Sequence, residues 1–118
     1  MPKPKNDPDP ASFLPLTPTV FDILLSLVDG ERHGYAIMQE VSGRLLPGTL
    51  YRALTRLLES GLVESSDQRP DPELDDERRR YYRLTGLGRR VIEAEAQRLV
   101  EQVRAARAKK LIQPPKRI

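Results

Sequence analysis

With 118 residues, no cysteine, one histidine and a net charge of +3 at pH 7, the chain is long enough for one modest domain and its appendages. The lack of cysteine excludes disulfides and thiolate metal sites and fits a reducing compartment, and a nucleophilic serine or threonine would have to find its base in His33 alone. No apolar run approaches the about 18 residues of a membrane span, and the opening Met-Pro-Lys-Pro-Lys-Asn-Asp-Pro lacks the apolar stretch of a signal peptide, so a cytoplasmic chain with no membrane partner is expected.

Residues 1–16 hold five of the eleven prolines among Lys, Asn and Asp, a composition that buries too little apolar surface to offset its ordering entropy. A flexible arm is expected there, with Phe13 and Leu14 reaching the body and Lys3 and Lys5 in solvent. Thr17-Pro18 then supplies a helix cap and a first helical residue, followed by the apolar run Val20, Phe21, Ile23, Leu24, Leu25, Leu27 and Val28, which Asp29-Gly30 ends. A second short helix opens at His33-Gly34, turns Tyr35, Ile37, Met38 and Val41 inward and closes at Ser42-Gly43.

The third helix runs from Pro47 to the residues before Gly61. Leu50, Leu54, Leu57 and Leu58 recur at steps of three and four, one apolar stripe on a helix turning about 100° per residue. Opposite lie Thr49, Arg52, Thr55, Arg56 and Glu59. Arginine can fork onto guanine edges or phosphate and threonine can meet base edges or a thymine methyl, so this face suits DNA. A solvated helix surface has the same composition, and the neighbouring elements decide between the two. Two helices joined by a short turn, the second bearing the polar face, make a helix-turn-helix.

After Gly61 the period changes to two. Leu62 to Ser65 and Arg80 to Leu84 have strand character and bracket a polar loop with Pro70 and Pro72, which predicts a β-hairpin with a long tip. Arg78, Arg79 and Arg80 alternate in direction along the second strand, so one side can pack and the other can face phosphate. The fold class expected is therefore mainly α with a small β-hairpin: a winged helix-turn-helix over residues 17–84. From Thr85 a proline-free run to about Leu111 reads as one long helix over 85–111, with a basic tail over 112–118 that includes Lys116 and Arg117 beyond Pro114-Pro115. Ile92, Ala96, Leu99, Val103 and Ala106 fall on a four-three repeat, a dimerisation seam that a second copy would cover.

Together these residues resemble the PadR-like transcriptional regulators. The resemblance rests on Ile23 to Val28, His33-Gly34-Tyr35, Pro47-Gly48-Thr49-Leu50-Tyr51, Leu54, Leu57, Gly61-Leu62-Val63, Arg79 to Thr85 and Gly88-Arg89-Arg90, and covers about residues 17–100. It implies a homodimeric repressor, similar to the short branch of the family in which one C-terminal helix packs on its mate. Two departures stand out. Leu46 occupies the position of a common capping serine, and residues 64–77 hold seven acids, Glu64, Asp67, Asp71, Glu73, Asp75, Asp76 and Glu77, against Arg69 alone. Relatives bind planar aromatic compounds at the dimer centre, but the expected helix has no aromatic residue to stack on them, and the effector is unknown.

The expected DNA contacts are Thr49, Tyr51, Arg52, Thr55, Arg56, Arg78, Arg79 and Arg80, with double-stranded DNA and a second copy as partners. The resemblance places His33 at a helix start in a packed turn, so a structural role is expected for it rather than that of a switch or base. No cofactor or metal is expected, because Asp75-Asp76-Glu77 lacks the spacing of a calcium loop. An enzyme is not expected either, since there is no Gly-rich phosphate loop, metal-ligand cluster or triad. The alternative function is a winged-helix protein-protein interaction module that uses the acidic wing loop as its contact surface.

Overall fold

The computed structural model describes residues 8–41, 45–66 and 80–113. In order they form a 3-10 turn (Pro10–Phe13), α1 (Pro18–Ser26), β1 (Arg32–His33), α2 (Gly34–Glu40), α3 (Pro47–Glu59), β2 (Val63–Ser66), β3 (Tyr81–Leu84) and α4 (Gly86–Ala108). This is a winged helix-turn-helix with a long C-terminal helix. Lys3 and Lys5, the Ser42-Gly43 helix stop, the acidic tip with Asp67 to Glu77, Arg78 and Arg79, and the tail with Lys116 and Arg117 lie outside the described residues.

The helix boundaries follow from their caps. Thr17 Oγ1 accepts a hydrogen bond from Val20 N at 3.2 Å, and Pro18 sits where its missing N–H leaves nothing unpaired. His33 opens α2 in the same way, its Nδ1 accepting from Ala36 N at 3.1 Å. Leu46 begins α3 without a side-chain cap. The far end of α3 is firmly closed: Gly61 N donates to Leu58 O and Leu62 N to Leu57 O, the two bonds of a Schellman cap, with Gly61 at φ +80° and Leu62 buried.

The core is the meeting of α1, α2, α3 and the first half of α4 over the sheet: Ile23, Leu24, Ile37, Leu50, Leu54, Val63 and Val91 are each almost fully buried. The sheet has three strands in the order β1-β3-β2, both pairs antiparallel. A two-stranded hairpin was expected. The third strand is two residues long, with Arg32 opposite Tyr82 and His33 opposite Tyr81, too short for any alternation to announce it. In the β2/β3 register Val63 faces Leu84 and Ser65 faces Tyr82, so these share the inner side, while Glu64 faces Arg83 on the outer side.

Thr85 joins wing to α4 three times: its N–H donates to Leu62 O, its hydroxyl donates to Gly61 O at 2.6 Å, and its oxygen accepts from Gly88 N at 3.0 Å. One turn on, α4 passes so near the start of β2 that a Cβ at Gly88 would stand 2.0 Å from Leu62 O. Only glycine permits that approach.

Four expectations are corrected. Tyr35 is 49% exposed and stacks on the His33 ring instead of entering the core. Part of the arm expected to be flexible is folded: Asp9 caps the 3-10 turn and Leu16 packs against the core, beside Phe13 and Leu14, which reach the body as expected. Third, α4 ends at Ala108, not near Leu111, because Lys110 adopts φ 62° and Leu111 N closes back on Ala106 O, a left-handed cap made without glycine. Finally, Ile92 is buried inside its own subunit rather than lying on an open seam. Among the described residues no helix is long and apolar enough to cross a membrane.

Candidate nucleic-acid interface

The outer face of α3 is built by the helix period. With Leu50, Leu54 and Leu57 anchored in the core, residues roughly half a turn away must face out, and Arg52, Thr55, Arg56 and Glu59 are exposed while Thr49 is half-buried. Thr55 Oγ1 donates to Tyr51 O at 2.8 Å, which directs its hydroxyl hydrogen inward and leaves the methyl and an acceptor lone pair outside.

The arginines divide by what they touch. Arg32 donates to Ser26 O at 2.7 Å and pairs with Glu40 at 2.9 Å, and Arg89 donates to Val28 O at 2.7 Å, so both satisfy carbonyls at the end of α1. Arg83 lies 2.8 Å from Glu64 and 3.9 Å from Glu31, and the hydrogen-bonded Glu64 holds its guanidinium protonated even more firmly than usual. Arg98 and Arg104 pair with Glu95 and Glu101. Arg52 and Arg56 make no ion pair or hydrogen bond among the described residues. They are exposed cations at adjacent turns of one helix, available to an anion without breaking anything first.

Tyr51 departs from the expected DNA contact. Its hydroxyl oxygen is buried, and a Cβ on Gly34 would lie 2.7 Å from it. The ring fills the joint between α2 and α3, and Gly34 is the residue that makes room. Arg80 stands half-buried at the foot of β3. Arg83, not among the expected contacts, is an exposed arginine of β3, with its charge engaged by Glu64 and Glu31.

On α4 the expected seam divides in two. Ile92 is spent on the chain's own core together with its neighbours Leu87 and Val91, whereas Leu99 and Val103 remain 36% and 38% exposed, Ala96 is exposed, Ala106 is half-buried, and Val100 beside them is 42% exposed. Val100 was not foreseen. At the boundary lies Glu95, only 1% exposed, whose Oε2 accepts from Leu16 N at 2.7 Å and whose carboxylate also takes the Nε and Nη2 hydrogens of Arg98. Arg98 holds the carboxyl below its ordinary pKa; burial pushes the other way, and the Leu16 N–H reinforces Arg98. The only signal of this in the chain is a glutamate on the inward stripe, four residues after Val91 and three after Ile92.

Comparison with known proteins agrees with this geometry. The model of the transcriptional regulator PadR-like family matches residues 23–94. The transcriptional regulator Rv3488 of Mycobacterium tuberculosis is 40% identical over 85 residues, covering 70% of this chain and 76% of that protein. An uncharacterized 37.1 kDa protein in transposon TN4556 of Streptomyces fradiae is 42% identical over 78 residues, 63% of this chain; the match spans about a fifth of that protein's length, 21%. A PadR family transcription regulator from Clostridium difficile R20291 superposes with a TM-score of 0.59 at 29% identity, over 74% of this chain and 94% of the other. The match to the family model spans well over half of the sequence and includes the helix-turn-helix, the wing and the root of α4, and the chain belongs to the PadR-like family of transcriptional regulators.

Proposed function

We propose that the chain is a cytoplasmic, homodimeric repressor that reads a pseudo-palindromic operator with α3. The observation that carries this reading is the pair Arg52 and Arg56, exposed and, among the described residues, without acidic partners on the outer face of the second helix of a helix-turn-helix. In the reading proposed, Arg52 and Arg56 contact base edges, Thr49 and Thr55 add short-range contacts, and Arg78, Arg79 and Arg80 of the wing grip phosphate. Tyr51 acts indirectly, holding α3 against α2.

The uncovered apolar residues of α4 supply the reason for a dimer. Leu99, Val100 and Val103 gain nothing from facing water, and a second copy related by a two-fold axis covers both sets at once. Two reading helices then meet successive major grooves, with half-site centres about 34 Å apart or a multiple of that. Selection of sites from a random duplex pool tests the reading: enrichment of an inverted repeat with that spacing, bound more weakly as salt rises, is expected. Failure to enrich any sequence, with no salt-dependent shift of duplex DNA, would overturn it in favour of a protein-binding module.

A further inference from the structure

One flank of α3 closes a groove of about 430 Å³ against the 3-10 turn and the start of α1. That size falls within the range of small-molecule sites. Its inner wall is apolar, from Phe13, Leu16 and Val20 on one side and the buried Leu57 on the other. The exposed Arg52 and Arg56 stand at its rim, four residues apart and therefore on adjacent turns. No lining residue is acidic; the other polar contributors are hydroxyls, such as that of Thr19. An apolar trough edged by two cations that make no ion pair among the described residues complements one kind of molecule, an apolar body ending in a negative charge.

We propose that this groove is an effector site for a small amphipathic carboxylate, whose apolar body lies against Phe13, Leu16, Val20 and Leu57 and whose carboxylate pairs with Arg52 and Arg56. The regulatory half of this inference rests on the reading of those two arginines as DNA contacts. A guanidinium forked onto a carboxylate cannot at the same time fork onto a base or phosphate, so ligand and operator compete for the same two side chains. The ligand acts as an inducer by direct occupation and needs no movement between subunits. Leu16 both lines the groove and donates its N–H to Glu95 of α4, so the groove wall is anchored to the helix proposed to pair.

The test is calorimetric titration of the full chain with octanoate, with 1-octanol as the uncharged control. One octanoate per chain is expected. Arg56→Gln should weaken octanoate at least tenfold and leave 1-octanol unchanged, because only the charged contact is lost. Thr19→Phe, which fills the groove from α1, should weaken both at least tenfold; if it fails to fold by circular dichroism, Ser60→Phe fills the groove from the end of α3. Octanoate should also displace a selected operator from the parent chain.

No octanoate binding, or binding indifferent to a folded groove-filling variant, would overturn the effector site even where duplex binding depends on Arg56. Octanoate bound as described by a chain that binds no duplex would leave the site standing and refute the DNA reading instead. A second copy seated in the groove would appear as a dimer that takes up no octanoate, which also overturns the proposal.

Discussion

Changing Leu99 and Val103 of α4 to glutamate should convert a dimer into a monomer without unfolding it. Leu99, Val100 and Val103 retain 36%, 42% and 38% of their exposure in the single chain. Burying such a side chain completely stabilises by about 1.5–3 kcal/mol, so covering the remaining two fifths contributes about 0.6–1.2 kcal/mol for each. Across the six side chains of a symmetric pair this comes to about 4–7 kcal/mol, and Leu111 and Ile112, 78% and 39% exposed at the end of the helix, can add a comparable amount. Association itself costs on the order of 4–15 kcal/mol, so the balance is narrow and the dimer should depend on concentration. Four carboxylates placed in such a seam remove most of the apolar gain and add like-charge repulsion. Sedimentation equilibrium should therefore give a mass near 13.4 kDa for the double variant and twice that for the parent at the same concentration. Helicity should be retained, since both residues are at the surface of the single chain. Ile92→Glu makes the control, because Ile92 is 5% exposed and the change should unfold the chain rather than merely separate two copies. A double variant that stays dimeric would refute the assignment of the interface to this face.

Further expectations follow from single positions. Gly88→Ala puts a methyl 2.0 Å from the Leu62 carbonyl oxygen, which is backbone already bonded to Thr85, so the wing and α4 must separate; a loss of about 1–3 kcal/mol or more in denaturant titration is expected, and an unchanged midpoint would mean the approach is not close. Glu95 has a pKa lowered by Arg98 and the Leu16 N–H, against the ordinary glutamate value of 4.5. Its stabilisation is thus fully present above that value and is lost as pH falls through the lower folded pKa. Melting temperature should drop on acidification below about pH 5 more steeply in the parent than in Glu95→Gln, and equal slopes would remove Glu95 from the account. Changing Asp75, Asp76 and Glu77 together to Asn, Asn and Gln should tighten non-specific duplex binding, most at low salt where screening is weakest; no change at low salt would mean the wing tip stays clear of DNA.

Where the fold was legible in the chain, the cause was local chemistry. Thr17-Pro18, Gly61 and Thr85 each form their cap with atoms a few residues away, and Pro47 suits a first helical position, so composition alone marks the beginning of α1, both ends of α3 and the beginning of α4. The leucine stripe of α3 likewise fixes which residues face out, because a helix has one period. What stayed hidden depends on distant partners. β1 is held as a strand by Tyr81 and Tyr82, some fifty residues later, and Tyr51 turns inward because Gly34 leaves space for it. Glu95 looks like a surface charge until Leu16 and Arg98 are found around it. Ile92 continues the repeat of Leu99 and Val103, and only the reach of the core along α4 separates it from them. The groove beside Arg52 and Arg56 exists because the chain before α1 folds back as a 3-10 turn, a path that a proline-rich composition does not suggest.

Whether α3 reads sequence through Arg52 is decided by measuring parent and Arg52→Ala affinities for a selected operator and for an unrelated duplex at the same salt. Base readout by Arg52 should give a loss on the operator of about 1–3 kcal/mol per half-site contact, a relaxed preference at one base pair in each half-site, and little change on the unrelated duplex. An equal loss on both duplexes would contradict it, because the arginine would then be binding phosphate and not reading bases.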